Sequence, residues 1–131
     1  MQLTDTHCHL DYHKYNTDRA DVIQRAKDAG LVKVLVPGLH HRSSQEAVKL
    51  AKSNTMVYAA VGFHPTDLDE FSEKVFLQVK ELAKHPKVVA IGEIGLDYYH
   101  KPPEGFTLDS WKAHQARVLR MQLELAVELG L

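Results

Sequence analysis

Val88-Val89-Ala90-Ile91-Gly92-Glu93-Ile94-Gly95-Leu96-Asp97 opens with four apolar residues and then sets a carboxylate between two glycines. A short apolar run without polar alternation reads as a strand covered on both faces, which is the pattern of a parallel sheet. The same unit recurs upstream. Met56–Val61 is closed by Gly62, Val32–Val36 by Pro37-Gly38, and Gln2–Thr6 leads into His7-Cys8-His9.

A helical pattern follows each run. Asp18 and Asp21 stand in the first turn of the first helix, favourable at the positive end of its dipole, and Gly30 stops it. Ser43 and Glu46 have capping-box spacing at the start of the second. Val75, Val79, Leu82 and Ala83 form the apolar stripe of the third, between Ser72 and Pro86. Val118, Met121, Leu125 and Leu129 share one face of a longer fourth helix, which Gly130 ends. Gln115, Arg117 and Gln122 on that helix read as solvated or intersubunit groups, with Arg117 also a phosphate candidate.

Strand–helix alternation predicts an α/β fold with right-handed crossovers. A doubly wound sheet and a (β/α) barrel both satisfy it. No Gly-rich phosphate loop follows any strand, which argues against a nucleotide-binding sheet. The polar residues gather after strands one, three and four, where barrel enzymes carry their catalytic groups.

The chain has 131 residues, enough for one domain, and 44% hydrophobic with 25% charged residues is the mixture of a globular protein. No apolar run approaches the roughly 18 residues that span a bilayer, so no membrane role is expected. The N-terminus lacks a basic segment followed by an apolar one, so no signal peptide is expected. One cysteine excludes an intrachain disulfide and fits a reducing compartment, giving an intracellular expectation, nuclear or cytoplasmic. A net charge of -1 supplies no global field for nucleic acid, so a phosphate would have to be met locally. The compositional oddity is nine histidines.

In an extended segment, residues two apart project to the same side. His7 and His9 can therefore face one metal ion while Cys8 packs away as a small hydrophobe; the competing reading is two unrelated surface histidines. Asp5 is expected to hold one imidazole through its second ring nitrogen. His64, in Gly62-Phe63-His64-Pro65, is either a rigid group at the mouth that meets a phosphate or leaving group, or a turn residue. Glu93 needs a partner for its charge, and a metal is the natural one. Asp97 and Tyr98 extend the polar edge, and Tyr98 and Tyr99 can stack on bases or simply pack. His40 and His41 can reach the same edge. His13, His85, His100 and His114 read as loop or surface residues.

Taken together, Asp5-Thr6-His7-Cys8-His9-Leu10-Asp11, Gly62-Phe63-His64-Pro65 and Gly92-Glu93-Ile94-Gly95-Leu96-Asp97-Tyr98-Tyr99 resemble the TatD-type metal-dependent deoxyribonucleases, as does Gln122-Leu123-Glu124-Leu125-Ala126 before Leu129-Gly130-Leu131. The resemblance implies a TIM barrel, (β/α)8, of which residues 1–131 form one domain carrying the first four units and stopping before a fifth strand. It implies one or two divalent ions (magnesium, manganese or zinc) and hydrolysis of DNA by metal-activated water, exonucleolytic, in repair or fragmentation. His7 and His9 would bind one metal and Glu93 would contact or bridge both. Glu93, His64 and Asp97 would be catalytic, with His64 and Tyr98 on the substrate. Two further histidines and an aspartate would come from later strands. Four units would leave the first and fourth strands as open edges, so self-association through the open half-barrel is expected. Two other readings stand beside this one: a catalytically silent interaction module, and an amidohydrolase-type hydrolase of another substrate. The Glu93 segment argues against the last.

Overall fold

The computed structural model describes residues 2–69 and 71–131. The strands are β1 Leu3–Asp5, β2 Leu31–Pro37, β3 Val57–Val61 and β4 Val88–Ile91, alternating with helices α1 Arg19–Asp28, α2 His41–Ser53, α3 Glu73–Ala83 and α4 Leu108–Leu129. A 3-10 turn at His13–Tyr15 interrupts the passage from β1 to α1. All strand pairs are parallel, in the order β1-β2-β3-β4.

That order decides between the two architectures left open by the sequence. A doubly wound sheet reverses direction at a switch point and covers both faces with helices. Here each new strand adds to the same edge. Val34, Val36, Val57, Ala59, Val61 and Val88 share one core with Ala47 and Val48 of α2, Val79 of α3, and Trp111 and Val118 of α4. Strand side chains alternate, so Lys33, Leu35 and Tyr58 belong to the other face. All helices thus cover one face, and the sheet is one wall of a barrel.

The local signals account for most helix ends. Ser72 caps α3 by accepting from the Val75 N–H, and Gly130 ends α4 in the left-handed region at φ 69°. The start of α2 differs from expectation. His40, not Ser43, is the cap: its Nδ1 accepts from the Ser43 N–H while Ser43 Oγ accepts from the His40 N–H. Glu46 instead lies 3.6 Å from Lys49 Nζ. Thr107 and Ser110 form the same reciprocal box at α4.

β1 and β4 are the two edges of the sheet. One further expectation fails. Gln115 and Gln122 are not solvated; each is 1% exposed. No helix among the described residues is long and apolar enough to cross a membrane.

Candidate metal centre

Three flat strand spacings of ~4.8 Å would separate β1 from β4 by ~14 Å. Yet the side chains that follow them touch. His7 Nε2 lies 2.6 Å from Glu93 Oε1, and His9 Nε2 lies 3.1 Å from the same oxygen. The two imidazole nitrogens are 3.3 Å apart. The curl of the sheet therefore points the ends of β1 and β4 at a common centre, which a flat sheet would not do.

The donor set fits a metal ion. His7, His9 and Glu93 each offer one ligand atom, all within 4.8 Å of one another. Bonds of ~2.0–2.2 Å at tetrahedral or octahedral angles require donor spacings of ~3 Å, close to those observed. Two imidazoles and one carboxylate also suit zinc or manganese chemically. The group is open on one side, with His7 58% and Glu93 20% exposed.

The surroundings orient it. The Asp5 carboxylate accepts from the His7 backbone N–H at 3.0 Å, so it shapes the turn and does not hold a ring nitrogen as expected. Asp11 faces the other side of His9 instead, with Oδ1 3.7 Å from Nδ1. Asp11 Oδ1 is buried and has no hydrogen-bond partner among the described residues. Burial pushes the Asp11 carboxyl above the usual carboxylate range. Cys8 turns into the core, its N–H donating to the Leu35 carbonyl at 3.0 Å. Burial, then the charges of Asp5 and Asp11, push its thiol up, as suits an unreactive packed residue.

His64 joins from β3. Its Nε2 lies 3.6 Å from Glu93 Oε2. The Thr66 backbone N–H can only donate, and it reaches His64 Nδ1 at 3.2 Å. The Thr66 hydroxyl lies closer, with Oγ1 2.7 Å from Nδ1, and its own proton goes to Asp67 Oδ2 at 2.8 Å. The His64 N–H is itself tied to the Leu39 carbonyl at 2.8 Å. Gly62 is required for space rather than for an unusual turn. A Cβ there would sit 2.9 Å from Gln122 Oε1 and 3.0 Å from the Gly92 carbonyl carbon.

Asp97 lies outside the cluster. Its Oδ1 accepts from the backbone N–H groups of Tyr99 and His100, and its Oδ2 meets His100 Nδ1 at 2.9 Å. These His100 contacts hold its carboxyl below the usual range. Tyr98 stands at the rim, 53% exposed, with Lys112 Nζ 4.9 Å from its ring centre. His40 is occupied as a helix cap. His114 is half-buried and stacks on Trp111 with ring centres 5.6 Å apart. Arg117 lies 3.6 Å from Glu73 and over the Phe71 ring.

The sequence reading missed the buried amides. Gln122 accepts from the Phe63 N–H at 2.7 Å and donates to the Phe63 carbonyl at 3.1 Å. Gln115 accepts from the Asp97 N–H at 2.7 Å and donates to the Asp97 carbonyl at 2.8 Å. Their signal was a position on the Val118 face of α4, outweighed by their polarity.

Comparison with known proteins adds a family. The family model described as TatD related DNase matches residues 4–131. A Bacillus subtilis protein named uncharacterized metal-dependent hydrolase YabD is 38% identical over 130 residues, covering 98% of this chain and 48% of that protein. The 3'-5' ssDNA/RNA exonuclease TatD of Escherichia coli is 34% identical, over 97% of this chain and 46% of its own length. The crystal structure of YjjV, a TatD homolog from Escherichia coli, superposes with a TM-score of 0.83 at 34% identity, over 98% of this chain and 48% of that one. The chain spans about half the length of the relatives it matches.

Proposed function

Because the chain belongs to the TatD-related DNase family, we propose that its site takes part in metal-dependent hydrolysis of DNA phosphodiesters, with His7, His9 and Glu93 holding a divalent ion. The convergence of these three groups from opposite edges of the sheet carries the reading. A bound divalent ion supplies Lewis-acid chemistry, polarising a phosphoryl oxygen and lowering the pKa of water.

The chain's own residues do the rest. Glu93 directs Oε1 at the histidine pair and Oε2 at His64, so one carboxylate links ion and substrate sides. His64 turns Nε2 toward the centre, where its Nε2-protonated form can hydrogen-bond a phosphoryl oxygen or a departing oxygen. Asp97 serves the same edge by fixing His100, and exposed Tyr98 offers a face for a base. Local charge at the centre then answers the absence of a basic field in a chain of net charge -1. We place this chain as the first four units of the barrel, with the remaining ligands supplied from outside it.

The test is a titration of metal-free protein with manganese, followed by calorimetry, beside a manganese-dependent degradation assay on single-stranded DNA. One ion bound per chain, lost on Glu93→Gln, is expected. Binding that is unchanged in Glu93→Gln would sink the assignment.

A further inference from the structure

We infer that α4 is a register device for the site, with Gln115 and Gln122 as positioning residues that hold the loops carrying Glu93 and His64. This deepens the metal-centre reading above and rests on it. The site residues lie on loops beyond the strand ends: β3 ends at Val61 and β4 at Ile91. Among the described residues, no sheet ladder fixes Phe63 or Asp97. Each is instead fixed by one amide, which pairs with both its N–H and its C=O.

The chemistry is specific to an amide. It carries an acceptor and a donor in one plane. An ionised carboxylate only accepts, and an ammonium only donates. The side chain therefore substitutes for a neighbouring strand at a single residue. Residues 115 and 122 are seven apart, which on a helix is the same face and ~10 Å along the axis. One rigid rod thus sets the spacing between two loops.

The loops are already in contact where the amides grip them. Gln122 Oε1 lies against Gly62, which also packs on Gly92 and Glu93. The Glu93 segment is pinned at its start, where the Glu93 N–H donates to the Gly38 carbonyl at 2.7 Å, and at its end, where Gln115 holds Asp97. Docking of α4 does not need these amides. Trp111, Val118 and Leu125 already bury the same face. Two amides placed among them must be desolvated, and an apolar residue would dock the helix as well. What the amides add is placement of the loops.

The test uses Gln115→Met and Gln122→Met, which keep an unbranched chain and remove both hydrogen bonds. Cobalt(II) titration followed by visible absorption reads the centre. Amide hydrogen exchange reads the loops. Gln115→Met is expected to lower cobalt affinity at least tenfold and to alter the spectrum, with protection lost at Asp97 and kept at Phe63; displaced groups around a metal site cost about that much. Gln122→Met is expected to lose protection at Phe63 and keep it at Asp97. Lost protection at Asp97 with unchanged affinity and spectrum would overturn positioning and leave a structural peg. Unchanged exchange in both variants would overturn the clamp itself. A wild-type chain that takes no cobalt would sink the metal reading, and exchange alone would then decide the clamp. Should the methionine variants fail to fold, Gln115→Glu and Gln122→Glu replace them. A protonated carboxyl restores donor and acceptor, so protection at Asp97 and Phe63 should rise as that carboxyl protonates, and a pH-independent result would overturn the clamp.

Discussion

His7 and His9 stand at the end of the shortest strand, three residues long, and differ in what supports them. Among the described residues, the His7 side chain is largely exposed and meets His9 and Glu93, whereas His9 also faces half-buried Asp11. His7→Ala should therefore lower divalent-ion affinity by at least tenfold while the thermal melt moves little. Calorimetric titration beside a melt checks it, and an affinity within twofold of wild type would remove His7 from the centre. His64 is a different case, since it faces Glu93 from the third loop. His64→Ala should lower turnover by ~10²-fold, as loss of a positioned proton donor does, in the longest form of the protein that degrades DNA. Metal content should stay normal; loss of folding without a separable kinetic effect would return His64 to a turn residue. At this scale the histidine pair was legible because extended backbone has a period of two. The glutamines were not. A polar residue on an amphipathic helix reads as solvent-facing unless a buried backbone pair is known to wait for it.

The apolar runs gave the strands to within two residues at each end, because β-branched clusters between glycines have few other uses. Sheet curvature was not legible; it depends on how helices α1–α4 crowd one face, and only that curl brings the loops after β1 and β4 together. The loop after β3 is tightly packed at Gly62. Gly62→Ala would push a methyl against the Gly92 backbone and the Gln122 amide, which cannot both retreat. A loss of ~1–3 kcal/mol is expected, as for other overpacked sites, together with weaker metal binding as Glu93 is displaced. Denaturant unfolding checks the first part and metal titration the second. The start of α4 carries its own sensor. His114 packs among Phe71, Phe106 and Trp111. Burial, then Arg117, hold its pKa below the ordinary imidazole value of 6.5. Its neutral form is therefore favoured in the folded chain. Between the lowered value and 6.5 the unfolded chain binds more protons, so stability is present above 6.5 and falls as pH drops below it. Urea midpoints measured between pH 7.5 and 5 should fall more steeply for wild type than for His114→Phe. Parallel slopes would show that His114 does not couple to folding.

As a whole the molecule is one curved wall with two open edges. Among the described residues, β1 and β4 each pair on one side only, which leaves N–H and C=O groups of both edges without strand partners. Apolar side chains are exposed beside them, Leu3 at 40% and Val89 at 46%, and Val127 on α4 at 83%. Isolated apolar residues of this kind are ordinary, but two open edges with an uncovered inner face favour association. The inner face is not wholly apolar: Lys33 and Lys87 lie over the Tyr58 ring, with Nζ 5.7 Å and 4.1 Å from its centre. Two such lysine pairs brought together would repel, so closure through the edges is favoured over face-to-face stacking. We therefore predict that this 131-residue chain, expressed alone, dimerises at micromolar concentration or precipitates. A two-fold pair would let β1 of one copy meet β4 of its partner at both seams. Each copy would bring its own His7, His9 and Glu93, so every centre would still hold the same three donor groups found among the described residues. Nuclease activity should accordingly be weak or absent, even in the dimer. Sedimentation velocity across concentrations, together with a magnesium- or manganese-dependent DNA assay on the same sample, reads both parts. A stable monomer whose robust activity disappears in His9→Ala would show that these three donors suffice on their own, and that the rest of the barrel serves stability rather than chemistry.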